Sequence, residues 1–243
     1  MEPKEEVKKA NPSQESGMEE NERVDNQTQS DVGTLSPKAR YVPPLNFSLV
    51  EDGIYRSGFP MPINYPFLEQ LGLKTIIYLG DLGHDKKNKS KSTSTDKAGD
   101  ESKSKKEKDK SDKHAAGEIW QDYQRWIETT DIRFFNLLME SSQEPFIMDN
   151  EHKQSEEALI RALQLILDKR NFPILIHSNK GKHRIGVLVG LMRKILQGWS
   201  MSGIFDEYEK FAMGKAEYDL EFIELWQPEL YVNVENKPDF LRL

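Results

Sequence analysis

The stretch from Ser155 to Leu196 constrains this chain most, because its hydrophobic period changes twice within about forty residues. Ala158, Leu159, Ala162, Leu163, Ile166 and Leu167 recur at helical spacing and form one apolar stripe. Ser155 is the candidate N-cap, and Glu156 and Glu157 stand where the helix dipole favours negative charge. Pro173-Ile174-Leu175-Ile176 then reads as a short buried strand. His177 to Arg184 reads as a polar loop, and Ile185–Leu196 as a second helix that Gly198 ends. Helix, strand, loop and helix in that order make a unit of an α/β layer.

The flanking segments extend the pattern. Phe47–Val50 and Ile54–Arg56 flank the turn Glu51-Asp52-Gly53, as in a hairpin. Asn64 is placed to cap a short helix through Leu71, with Pro66 tolerated in its first turn and Gly72 ending it. Thr75–Leu79 and Ile132–Leu138 read as strands, Glu118–Ile127 as a helix, and 203–211 and 217–226 as amphipathic helical segments. The expected fold class is α/β, a central parallel or mixed sheet flanked by helices.

Hydrophobic residues make up 36% of the 243-residue chain, below the roughly 45–50% of an ordinary soluble domain. The deficit is local. All 23 aromatic residues lie between Tyr41 and Phe240, and none falls within 84–117. Residues 1–40 are rich in Glu, Ser, Asn and Gln, so a disordered N-terminal tail is expected there. Residues 84–117 carry 11 lysines against 7 acids, with three alanines as their apolar content. A solvated Lys/Ser-rich insertion within one domain at 41–243 is the expected organisation.

Outside those two segments the formal charge is −8, which argues against nucleic acid as a partner. No run approaches the roughly 20 apolar residues of a membrane span, and the first twenty residues lack the apolar core of a secretory signal. A cytoplasmic protein without membrane attachment is expected. The absence of cysteine excludes disulfides and thiolate metal sites, and no cofactor or metal is expected.

The chemistry concentrates in His177-Ser178-Asn179-Lys180-Gly181-Lys182-His183-Arg184. A strand feeding a tight loop into a helix N-terminus directs backbone N–H groups inward and adds roughly half a positive charge. Gly181 supplies a position free of Cβ. Arg184 can grip two phosphate oxygens with its planar fork, and Lys180, Lys182 and His183 add positive charge. Phosphate is the natural guest. A Walker loop is excluded, because Ile176 stands where its first glycine belongs and His183 where Ser or Thr belongs.

In this setting IHSNKGKHRIG (176–186) resembles the Cys-x5-Arg loop of cysteine-dependent phosphatases, with Ser178 at the cysteine position and Arg184 at the arginine. VPPLNFSLVEDGIYRSGFPMP (42–62), FLEQLGLKTIIYL (67–79) and EPF (144–146) extend the likeness. The chain is identified as a member of the plant and fungal atypical dual-specificity phosphatases, including the fungal oxidant-induced cell-cycle-arrest proteins. The resemblance implies a protein-tyrosine-phosphatase-like fold and a phosphate-binding loop formed by Ser178, Asn179, Lys180, Gly181, Lys182, His183 and Arg184. It also implies a leaving-group acid, for which Glu151 and Asp149 both qualify. Implied ligands are inositol pyrophosphates or phosphotyrosine, on a small molecule or a phosphoprotein. Implied partners are related phosphatase-like proteins in stress or cell-cycle signalling.

Two departures bear on mechanism. Ser178 replaces the thiolate, and Ile185 stands where the family usually has Ser or Thr. A serine hydroxyl needs a base, and nothing in the spacing aims His177 or His183 at Ser178. The expected function is a pseudophosphatase that binds a phosphorylated ligand. The alternatives are an active phosphatase whose cysteine has been replaced, and a scaffold with an empty relic loop. The scaffold would use Trp199, Tyr208, Phe211, Phe222 and Trp226, residues whose helical spacing more often marks a core. Arg56 and Ser57, in the hairpin motif, suit a structural role.

Overall fold

Two strands without a polar face become the middle of the sheet. Thr75–Gly80 (β3) and Ile174–His177 (β5) are buried along their whole length, as central parallel strands covered on both faces must be. The computed structural model describes residues 41–82, 117–139, 150–214 and 217–242, with backbone alone for 150–152. Ser48–Glu51 (β1) and Ile54–Ser57 (β2) form the hairpin, and Arg133–Leu138 (β4) closes the far edge. The order is β1-β2-β5-β3-β4, antiparallel between β1 and β2 and parallel elsewhere. The expected mixed α/β sheet is therefore present.

Side chains alternate across the pleat and so build two cores. Ile77, Leu79, Ile174 and Ile176 face Asn150–Ile166 (α3), His183–Leu191 (α4), Met201–Ala212 (α5) and Glu217–Leu225 (α6). Ile76, Tyr78 and Leu175 face the other side, where Tyr65–Glu69 (α1) and the helix 117–128 (α2) contribute Leu68, Trp120, Tyr123 and Trp126. No helix among the described residues is long and apolar enough to cross a membrane.

Several local expectations are corrected. Asn64 is not the side-chain cap of α1. Its Oδ1 accepts the Met61 N–H at 2.8 Å, and its Nδ2 donates to the carbonyls of Val42 and Pro43. Ser155 lies inside α3, which begins at Asn150; Glu151, Lys153 and Gln154 are good helix formers that carry the helix upstream without any apolar signal. The helix after the loop starts at His183, and its last turn, Met192–Leu196, is π-helical. Arg193 sits in that turn. It donates to both Glu207 carboxylate oxygens at 2.9 Å and to the Val50 carbonyl at 2.7 Å, tying α5 to β1.

The C-terminal aromatics divide unevenly between core and surface. Tyr208 is buried, and Phe222 and Trp226 stack against each other on the core. Phe211 lies under the Arg56 guanidinium. Trp199 is exposed on one side and takes Arg193 on its face at 4.3 Å. These contacts make the set largely core. Residues 1–40, most of 84–117 and EPF at 144–146 lie outside the described residues; Gly117 is the first described residue of α2.

Candidate functional site

The carboxyl ends of β2 and β5 finish level, because His177 pairs with Ser57, and β3, whose Tyr78 pairs with His177 on the other side, runs two residues further to Gly80. An open α/β sheet presents its ligand site at such ends. The chain leaves β5 there, turns through 178–182 and enters α4 at His183. Gly181 has φ +68°, and a Cβ there would collide with the Gly58 nitrogen and the Ser57 carbonyl. Only glycine lets the loop lean this closely on the exit of β2. Three further bonds pin the loop backbone: Ser178 N–H to Ser57 O at 3.4 Å, Phe59 N–H to Asn179 O at 3.3 Å, and Asn46 Nδ2 to Lys180 O at 2.7 Å.

Ser178 is 4% exposed, and its Oγ accepts the Gly181 N–H at 3.1 Å. Neither neighbouring histidine is hydrogen-bonded to it among the described residues. His177 is buried, with Nε2 2.8 Å from the Tyr123 hydroxyl, and burial pulls its pKa down to about 3. Burial raises the Tyr123 phenol well above its usual value, so this pair stays neutral. The Nδ1 of His183 lies 2.9 Å from the Tyr208 hydroxyl, which donates to Asp219 Oδ2. Because that phenol proton is committed to a carboxylate, the Tyr208 oxygen is free to accept from His183 Nδ1–H.

Basic side chains lie in and beside this turn. Lys180 is exposed, and Lys182 is half-buried with Nζ 3.5 Å from Met213 Sδ. The Arg184 Nη1 lies 3.8 Å from Asp81 Oδ1. Beneath the loop, buried Arg56 donates through Nη2 to Gly181 O at 3.1 Å, and its guanidinium carbon stands over Phe211, 3.6 Å from the ring centroid. Burial lowers the Arg56 pKa to about 10, which leaves it charged at neutral pH. Its Nε and Nη1 have no hydrogen-bond partner among the described residues. The ring face beneath it partly replaces their hydration.

The structure thus puts Ser178–Lys182 in the turn between β5 and α4, and His183 and Arg184 in the first turn of α4. The tentative acids are not placed there: Asp149 lies outside the described residues, and Glu151 is described only as backbone in the first turn of α3. Sequence reasoning overlooked Tyr78 and Asp81. Burial pushes the Tyr78 hydroxyl up to about 12; it donates to Asn179 Oδ1 and accepts the Leu82 N–H at 3.3 Å. Asn179 Nδ2 donates in turn to Asp81 Oδ1 at 3.3 Å. The signal was an acid directly after a wholly buried strand, at its carboxyl end.

Residues 41–242 match the profile of the tyrosine phosphatase family. The chain belongs to that family. Within the tyrosine phosphatase family it is 39% identical over 208 residues to the tyrosine-protein phosphatase-like protein OCA2 of Saccharomyces cerevisiae, covering 84% of each chain. It is 37% identical over 187 residues to inositol diphosphatase DSP4 of Arabidopsis thaliana, covering 76% of this chain and 74% of that one. Among solved structures, the Siw14 catalytic core from S. cerevisiae superposes with a TM-score of 0.54 at 34% identity, over 77% of this chain and 88% of that one. The protein-tyrosine-phosphatase-like fold implied by the loop is therefore the fold of this family member.

Proposed function

We propose that this member of the tyrosine phosphatase family binds a phosphorylated ligand in the loop 178–184 without hydrolysing it. One observation carries the reading: the residue at the nucleophile position is Ser178, and its oxygen accepts a loop N–H rather than facing a base. A helix N-terminus is worth roughly 1 kcal/mol to a negative charge, far too little to make an alkoxide at neutral pH. Both nearby histidines are engaged by tyrosines. Ile185, buried in the core, offers no hydroxyl to a nucleophile.

Binding needs none of those groups. Loop N–H groups, the α4 N-terminus, Arg184, the flanking lysines and buried Arg56 supply fixed positive potential for phosphoryl oxygens. Inositol pyrophosphate is the first ligand class, supported by relatives named as inositol diphosphatases. Phosphotyrosine is the second, supported by the family description. Action in the cytoplasm with related phosphatase-like proteins, in stress or cell-cycle signalling, extends from the same resemblance.

Calorimetric titration of the full chain with an inositol pyrophosphate tests the reading. The expected result is saturable heat that Arg184→Ala removes. Absence of heat in the wild type would sink it.

A further inference from the structure

Successive carbonyls of the loop are drawn to one segment, residues 46–59. The Phe59 N–H donates to Asn179 O at 3.3 Å, Asn46 Nδ2 to Lys180 O at 2.7 Å, and Arg56 Nη2 to Gly181 O at 3.1 Å. The peptide units here are trans and planar, so each N–H points opposite its own C=O. Each bond therefore turns the next residue's N–H away from the segment, at Lys180, Gly181 and Lys182 in order. The middle unit shows the result, because the Gly181 N–H meets Ser178 Oγ at 3.1 Å. A peptide turned the other way would present a carbonyl oxygen, whose negative end repels an anion.

Two of these donors are side chains, and each is held where only the loop uses it. Asn46 stands in the left-handed region at φ +54°, which asparagine adopts more readily than most residues. Its neighbour Leu45 accepts the Gly58 N–H at 2.6 Å, which anchors that bend on the exit of β2. Arg56 is 1% exposed, and among the described residues only its Nη2 has a hydrogen-bond partner. Burying a guanidinium is costly, and the hydrogen bond made in return goes to the loop. We propose that Asn46 and Arg56 are positioning residues of the phosphate loop: by holding the Lys180 and Gly181 carbonyls, they keep the Gly181 and Lys182 N–H groups turned toward the ligand. This rests on the phosphate-binding reading above and deepens it. The donors for phosphoryl oxygens are set by side chains 134 and 125 residues away from the carbonyls they hold.

The test titrates the full chain, Asn46→Gly, Arg56→Met and Arg184→Ala with inorganic pyrophosphate by calorimetry. The backbone amide resonances of Gly181 and Lys182 are followed in the same titrations by NMR of isotope-labelled protein. Asn46→Gly keeps the left-handed backbone and removes only the donor, and thermal midpoints verify that the variants are folded. In the wild type both amide protons are expected to move downfield as pyrophosphate saturates the loop. Asn46→Gly is expected to bind about tenfold more weakly, as the loss of one hydrogen bond to a charged group implies, with the Gly181 shift reduced. Arg56→Met is expected to bind more weakly with the Lys182 shift reduced. A folded Asn46→Gly variant with wild-type affinity and wild-type amide shifts would overturn the proposal, whatever becomes of Arg56→Met. Weaker binding with the amide shifts intact would also overturn it, since the two residues would then act through charge or general stability. In either case, wild-type binding abolished by Arg184→Ala leaves the phosphate-loop reading standing. If the wild type does not bind pyrophosphate, both readings fail together.

Discussion

The Ser178 Oγ and the Gly181 N–H are joined at 3.1 Å across the candidate phosphate turn. The serine is thus spent on holding the loop in shape, with Gly181 in a left-handed conformation that few other residues adopt.

Replacing that oxygen by a thiol changes the chemistry without changing the turn. Ser178→Cys is expected to hydrolyse a small aryl phosphate slowly, because a thiol beside a helix N-terminus ionises readily. A hydrogen bond to a charged group contributes about 1.5–3 kcal/mol, so adding Ile185→Thr is expected to raise that rate by roughly tenfold. Phosphate release by each variant, with Arg184→Ala as the blank, is the measurement. An inert double variant would place the defect elsewhere in the site.

Gly181→Ala puts a Cβ against Gly58 and Ser57 at a φ of +68°. The backbone conformation alone costs about 1–2 kcal/mol, and the collision adds to it. A loss of at least roughly 2 kcal/mol in urea denaturation is expected, with loss of phosphate binding. Wild-type stability in this variant would contradict the geometry of the loop.

Tyr208 joins α5 to α6 and to the loop through Asp219 and His183. Tyr208→Phe leaves a buried carboxylate one donor short, which costs about 1–3 kcal/mol. The same substitution releases His183, and a double-mutant cycle with His183→Gln is expected to show coupling of about 1 kcal/mol in stability. Additive effects would mean that the three groups do not act as one unit.

His177 gives the fold a pH dependence of known sign. Its pKa is about 3 when folded and about 6.5 in an unfolded chain. Between those values the unfolded state binds a proton that the folded state does not. The favourable contribution is therefore complete above about pH 6.5 and declines toward pH 3, by up to about 1.4 kcal/mol per pH unit. Urea midpoints from pH 7 to pH 5 are expected to fall more steeply for the wild type than for His177→Gln. Parallel curves would assign the acid sensitivity to other groups.

The features that could be read from sequence are those written in contiguous residues. β3 and β5 declare themselves as unbroken apolar runs, and the loop from Ser178 to Arg184 carries its chemistry in adjacent positions. The early start of α3 gave no apolar signal, and the π-helical turn at Met192–Leu196 alters hydrogen bonding without altering composition. Asn64 looked like a cap for α1 because its type suits one, yet its oxygen accepts the Met61 N–H and its nitrogen's partners lie 21 and 22 residues upstream. The groups around the loop were hidden for the same reason. Tyr78 meets Asn179 across 101 residues and Asp81 meets it across 98, so only the folded sheet brings them together.

Binding without turnover is tested most directly by phosphorus NMR of an inositol pyrophosphate mixed with the full chain at equal concentration. The account predicts that the diphosphate resonances shift on mixing, that Arg184→Ala abolishes the shift, and that their integrals stay constant over many hours. Orthophosphate that accumulates with the wild type but not with Arg184→Ala would contradict it.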